Sequence, residues 1–102
     1  MVTTAYPIQL EPNPFDQYCI SAGFKVGDLV FLSGHVPIDQ AGMPVGNSFE
    51  EQANITFENL QRTLQEAGSC LEQIIKVTIY LTNMRLHRPK IIELRKKWFS
   101  PP

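Results

Sequence analysis

Cysteine is scarce in this chain, and what there is carries no pattern. Cys19 and Cys70 are the only two thiols, too few for a disulfide scaffold and without the spacing of a metal-ligand set. Net charge is scarce as well: the formal value is −1, which gives no global pull toward nucleic acid or membrane. No apolar run approaches the roughly 20 residues that a membrane span requires. Between Met1 and Ala5 there is neither a basic segment nor an apolar one, so nothing reads as a secretory signal, and a cytoplasmic location with reduced thiols is expected. Internal repeats, low-complexity tracts and linkers are missing too.

These absences leave a small globular domain. The 102 residues, 43% of them apolar, are expected to form a single domain over 1–102, burying roughly two-thirds of the unfolded surface. The few charges are unevenly placed, however. Residues 1–84 carry three Lys/Arg and nine Asp/Glu, whereas 85–102 carry six Lys/Arg and only Glu93.

Residues 1–19 contain Pro7, Pro12 and Pro14 and read as an extended, turn-rich lead-in with an edge strand near Ile8 to Leu10. Ile20 to Val26 is strand-like but weakened by Gly23. Gly27-Asp28 then fits a two-residue hairpin loop. Leu29 to Leu32 is continuously apolar, which predicts a strand inside the sheet with both faces covered. Asp39 to Gly42 makes a turn into a short return strand around Met43 to Val45.

Over 48–68, Ala53, Phe57, Leu60, Leu64 and Ala67 recur at helical spacing. Ser48 and Glu51 form a capping box, with the carboxylate expected on the Ser48 amide. Gly68 closes this helix as a left-handed residue, and Ser69 to Glu72 adds a single turn. From Ile74 to Thr82 apolar and polar residues alternate, which predicts a second strong strand joined to the hairpin by a right-handed parallel crossover. A second helix is expected from about Pro89 through Trp98, with Glu93 and Lys97 paired at i,i+4. The order β-β-β-α-β-α gives an α+β fold: a mixed sheet with two helices on one face, the other face calling for self-association as its cover.

The candidate chemistry concentrates at Ser33-Gly34-His35, where an apolar strand ends in a glycine between a hydroxyl and an imidazole. Such a platform can offer backbone amides to a small molecule. His35 reads either as a binding or interface histidine or as an acid/base. Ser33 reads as a hydrogen-bonding wall, since the setting of a nucleophile elbow is missing. Neither cysteine has a basic neighbour to lower its pKa. His87, among Arg85, Arg88 and Lys90, fits a solvated helix start. The basic segment 85–97 admits an RNA reading, but no aromatic residues interleave with its charges.

Four motifs occur together: V-G-x-L-V-F-x-S-G-x-x-P at 26–37, Q-x3-T-x2-N-L at 52–60, A-G at 67–68 and I-x-K-x-T-x-Y-L at 74–81. In this combination the chain from about Ile20 to Phe99 resembles the RidA (YjgF) family of enamine/imine deaminases. The resemblance implies a chorismate-mutase-like α+β fold, a homotrimer, and small-molecule sites in the clefts between subunits. The implied reaction is hydrolytic deamination of reactive enamine or imine intermediates such as 2-aminoacrylate, without metal or cofactor. In that family an arginine holds the substrate carboxylate and a glutamate positions the attacking water.

Those two residues belong to two C-terminal strands of the family, and the resemblance implies that both strands are absent from 1–102. Of the family's site, Ser33 and Gly34 are retained, His35 stands where glutamine is common, and a tyrosine position falls on Ile20. The implied substrate-binding set is therefore Ser33, Gly34, His35 and Ile20, with no catalytic residue assignable. Two other classes stand beside the deaminase: a non-catalytic trimer that binds a small metabolite, and, less favoured, an RNA-contacting module working through 85–97. Two missing strands would also leave an open sheet edge, a site of unwanted pairing.

Overall fold

The computed structural model describes residues 4–101; the outermost parts of the expected domain and lead-in, residues 1–3 and 102, lie outside the described residues. Three short strands, β1 (Ala5–Pro7), β2 (Gly23–Val26) and β3 (Leu29–Leu32), form a sheet in the order β1-β2-β3. Two helices follow, α1 (Phe49–Glu66) and α2 (Met84–Trp98). The chain is an α+β fold, and every strand pairing among the described residues is antiparallel.

The hairpin forms where Gly27-Asp28 predicts it. Gly27 takes φ 57°, a value that costs glycine little, and Val26 faces Leu29 at the start of a ladder ending at Gly23 and Leu32. A Cβ on Gly23 would lie 2.5 Å from the Phe31 carbonyl oxygen, so the absence of a side chain lets the strands close. β1 lies three residues ahead of the expected edge strand. Ile8 and Leu10 instead turn their side chains inward, Leu10 joining Phe15 and Ala22 in a small core cluster.

α1 begins and ends on local signals. The Glu51 amide donates to Ser48 Oγ at 3.1 Å, but the Glu51 carboxylate accepts from the Asn47 amide at 3.0 Å rather than from Ser48. At the far end Gly68 has φ 79°, and the Ser69 amide reaches back to Leu64 O at 2.8 Å while Gly68 N reaches Gln65 O. This is a Schellman closure, which satisfies the last orphan carbonyls. Ala53 and Phe57 of α1 bury against Ile91 and Leu94 of α2, flanked by Phe49, Ile79, Leu81, Trp98 and Phe99. Burying each large apolar side chain of that set is worth about 1.5–3 kcal/mol.

Further expectations change. Ile74 to Thr82 belongs to no strand: 74–81 have no regular secondary structure and Thr82 lies in a bend; a period-two pattern can favour a strand, but a ladder needs a neighbour to bond to. For the same reason β3 is an edge strand rather than an interior one, with Leu29 and Phe31 more than half exposed. The return strand at Met43 to Val45 shrinks to one bridge, Ile38 to Pro44, flanked by Asp39 N to Met43 O and Val45 N to Pro37 O; Pro37, opposite Val45, has no amide to return the second bond. α2 starts at Met84, five residues before the expected Pro89, and Glu93 pairs with Lys96 at 3.0 Å instead of Lys97. Among the described residues no helix is long and apolar enough to cross a membrane.

Candidate functional site

The platform Ser33-Gly34-His35 leaves β3 at its C-terminal end and runs toward α1. Ser33 is bound to the hairpin twice: its amide donates to Ala22 O at 2.9 Å and its hydroxyl to Ser21 O at 2.7 Å. Its proton goes to a carbonyl, which is no base, so the hydroxyl is a hydrogen-bonding group without the activation a nucleophile needs.

His35 is held at both ring nitrogens. Nδ1 lies 2.7 Å from the Ser33 carbonyl and Nε2 lies 2.8 Å from Thr63 Oγ1. A carbonyl can only accept, so Nδ1 carries the proton and donates, leaving Nε2 to accept from the Thr63 hydroxyl. The Phe15 ring meets the imidazole edge-on at 5.4 Å. Burial holds the His35 pKa below its ordinary value, opposed in part by the Ser33 carbonyl. At neutral pH the ring is therefore a neutral brace between β3 and α1. Thr63, fully buried on α1, also has Asn59 O at 3.3 Å as an alternative acceptor.

Gly34 sits between these anchors and is exposed. A Cβ placed on it would meet nothing within 4 Å, and its φ lies outside the left-handed region. Neither crowding nor backbone strain inside this chain requires glycine there. The amides of Gly34 and His35 have no hydrogen-bond acceptor among the described residues. Two free donors beside an unobstructed glycine form a surface that a carboxylate or carbonyl oxygen could approach closely.

Ile20 stands on the other side of the Ser33 anchor. It is half exposed and lines an open cleft of about 380 Å³ together with Ile8, Asn13, Cys19, Ser21 and Phe24. Ser21, which accepts the Ser33 hydroxyl, joins this cleft to the platform. The structure thus links Ile20 to Ser33, and to Gly34 next in sequence, through Ser21 alone, whereas His35 lines a separate pocket with Phe15, Ile38 and Thr63. No charged side chain hydrogen-bonds to the platform among the described residues, and no cluster there could hold a metal ion.

Two supporting residues escaped the sequence reading. Thr63 and Asn59 both lie on α1, and Asn59 Nδ2 ties down the platform's exit by donating to Val36 O and Ile38 O at 3.1 and 2.9 Å. Their signal was a threonine and an asparagine beside an apolar helical stripe. His87 also differs from a solvated helix start: it is half-buried, with Nδ1 2.9 Å from Thr82 O and its ring stacked on Phe49 at 4.1 Å. Both cysteines are free, Cys19 exposed and Cys70 half-buried.

Comparison with known proteins bears on the family and the fold. The sequence profile of the family described as Endoribonuclease L-PSP matches residues 8–102. Protein HMF1 of Saccharomyces cerevisiae is 30% identical over 100 residues, covering 98% of this chain and 77% of that protein. A RutC family protein of Pyrococcus abyssi is 38% identical over 74 residues, so that 72% of this chain spans only 57% of that relative. Among solved structures, RidA from the Antarctic bacterium Psychrobacter sp. PAMC 21119 superposes with a TM-score of 0.85 at 28% identity, over 95% of this chain and 78% of that one.

Proposed function

The chain belongs to the Endoribonuclease L-PSP family, which includes the RidA (YjgF) proteins, and on that footing we propose that it serves the hydrolytic deamination of small reactive enamines or imines such as 2-aminoacrylate. Ser33, Gly34 and Ile20 form the substrate-binding surface in this reading, and His35 positions it. The observation that carries the proposal is the pair of unsatisfied amides at Gly34 and His35, beside a glycine that nothing in its own chain requires. Those donors suit the carboxylate or carbonyl end of an amino-acid-derived substrate. The arginine and glutamate of the family reaction are assigned to no residue of this chain.

The proposed assembly is a homotrimer in the cytoplasm, with sites at the subunit clefts. Exposed Phe24 and Phe31, directly opposed across the β2–β3 ladder, and Leu29 on the same face support self-association. A non-catalytic metabolite-binding role is the second reading, favoured by the lack of any charged group bonded to the platform.

One experiment separates the readings. 2-Iminobutanoate generated in situ is followed to 2-ketobutyrate, alongside amide chemical shifts during 2-ketobutyrate titration. Turnover above buffer with shifts at Gly34 and His35 supports the deaminase. Shifts without turnover support the binding role, and neither effect overturns both.

A further inference from the structure

The two helices carry opposite charge on their exposed sides. On α1 the acids Glu50, Glu51, Glu58 and Glu66 are all exposed, and with half-buried Arg62 the helix has a formal charge of −3. α2 holds six of the chain's nine Lys/Arg, all of them exposed, against the single acid Glu93, a formal +5. Little of this charge is used within the chain. Lys96 to Glu93 is the only ion pair among the described residues, so no carboxylate of α1 is paired with a cation of α2. α2 also opens with Arg85 and no acid in its first turn, against its own dipole.

The charges are also spaced alike. Glu51, Ile55 and Glu58 follow one another at steps of four and three along α1, and Arg88, Ile92 and Arg95 do so along α2. Such steps put each trio on one side of its helix. Ile92 is 40% exposed and Ile55 half-buried, so each stripe is an apolar side chain between two like charges. The helices run in the same sense. The Phe49 ring at the start of α1 stacks on His87 near the start of α2, and further along Asn54 and Phe57 meet Trp98. Counted from the Phe49–His87 stack, Glu51 lies two residues on and Arg88 one, so the stripes start level to within roughly 1.5 Å of helical rise.

We propose that the helix face joins two copies of this chain about a two-fold axis running along the helices, the α1 stripe of each copy lying against the α2 stripe of the other. That axis exchanges the places of the two helices but keeps their direction and level. Glu51 then meets Arg88, Ile55 meets Ile92 and Glu58 meets Arg95, each twice, as an isologous contact requires. A two-fold axis across the helices sets acid on acid and base on base instead. A foreign acidic segment suits α2 alone and is repelled by α1, whereas a second copy matches both. The helices are about 27 and 22 Å long, and packed helix axes lie about 8–10 Å apart, so the face covers roughly 400 Å² per copy. That is below the standard size of a stable complex. The contact is therefore transient, and its charges set its orientation. It is distinct from the apolar face of Phe24, Leu29 and Phe31, whose association salt does not loosen.

Sedimentation velocity of the intact protein, up to about 1 mM chain and at about 20 and about 500 mM salt, tests the contact. The expected result is an association step whose constant falls about tenfold or more at the higher salt, on top of any salt-resistant assembly. Glu58→Lys and Arg95→Glu, both exposed positions, each lower the low-salt constant about tenfold or more by placing like charges opposite one another. An equimolar mixture of the two variants restores the association, because each offers the charge that the other lacks. The proposal is overturned if the parent shows no salt-labile step, if either variant associates as the parent does, or if the mixture stays as weak as its components. Salt-labile binding of a labelled single-stranded RNA that R95E abolishes, in a parent that does not self-associate, would assign the basic stripe to a polyanion and overturn it as well.

Discussion

Replacing Thr63 by valine changes one hydroxyl for a methyl of nearly the same size, in the most deeply buried polar side chain among the described residues. The shape of the core is preserved, so the loss is confined to what the hydroxyl does. In the native chain it donates to His35 Nε2 at 2.8 Å, while His35 Nδ1 donates to Ser33 O. With valine at 63, Nε2 is left without a donor in a pocket lined by Phe15, Val36 and Ile38. An unsatisfied buried acceptor costs about 1–3 kcal/mol, and each kcal/mol lowers the Tm of a domain this size by roughly 4–8 °C.

Chemical denaturation at pH 7.5 and fixed protein concentration measures the loss, and a double-mutant cycle with His35→Ala isolates the pair. A T63V variant as stable as the parent, or a cycle with no coupling, would refute the account of His35 as a neutral brace. The same account fixes a pH dependence. The folded His35 pKa lies below its ordinary 6.5, so the unfolded chain binds the extra proton first. Stability contributed here is fully present above pH 6.5 and is lost as the pH falls from 6.5 through the folded pKa. His35→Gln should flatten the stability profile in that window.

Gly42→Ala should destabilise by about 1–3 kcal/mol, because φ is 82° and the added Cβ would lie 2.6 Å from Pro14 O; loss of the Gln17 and Tyr18 bonds to Gly42 O, read by amide shifts, checks the cause. Ser48→Ala should cost about 1 kcal/mol through the lost cap on Glu51, measurable by denaturant titration. Glu93→Gln should change stability by less than about 0.5 kcal/mol, since its pair with Lys96 is exposed. Phe31→Lys, on the exposed face with Phe24 and Leu29, should weaken self-association with little loss of fold; sedimentation velocity checks it, and an unchanged oligomer would place the interface elsewhere.

How far the sequence could be read depended on how local each signal was. The Gly27-Asp28 loop, the Ser48 cap, the Gly68 closure and the stripe from Ala53 to Ala67 are set within a few residues, and each was legible. The state of Ile74 to Thr82 was not, because alternation specifies a face but not a bonding partner. β3 was misplaced to the sheet interior by the same omission. At the site, Ser33 and Gly34 were legible as a platform from residue types alone. His35 was ambiguous until Thr63, 28 positions away, supplied its second hydrogen bond. That pairing depends on the packing of α1 against β3, which no local pattern records.

The central claim is that the Gly34 surface receives a small enamine or imine. The most direct measurement is the rate of 2-ketobutyrate formation from 2-iminobutanoate with the parent chain, with Gly34→Val, and with Ser48→Ala as a control away from the platform. The account predicts acceleration by the parent and the control, abolished by G34V, whose added Cβ has nothing of its own chain within 4 Å and stands in the approach to the two free amides. Equal rates in parent and G34V would contradict it.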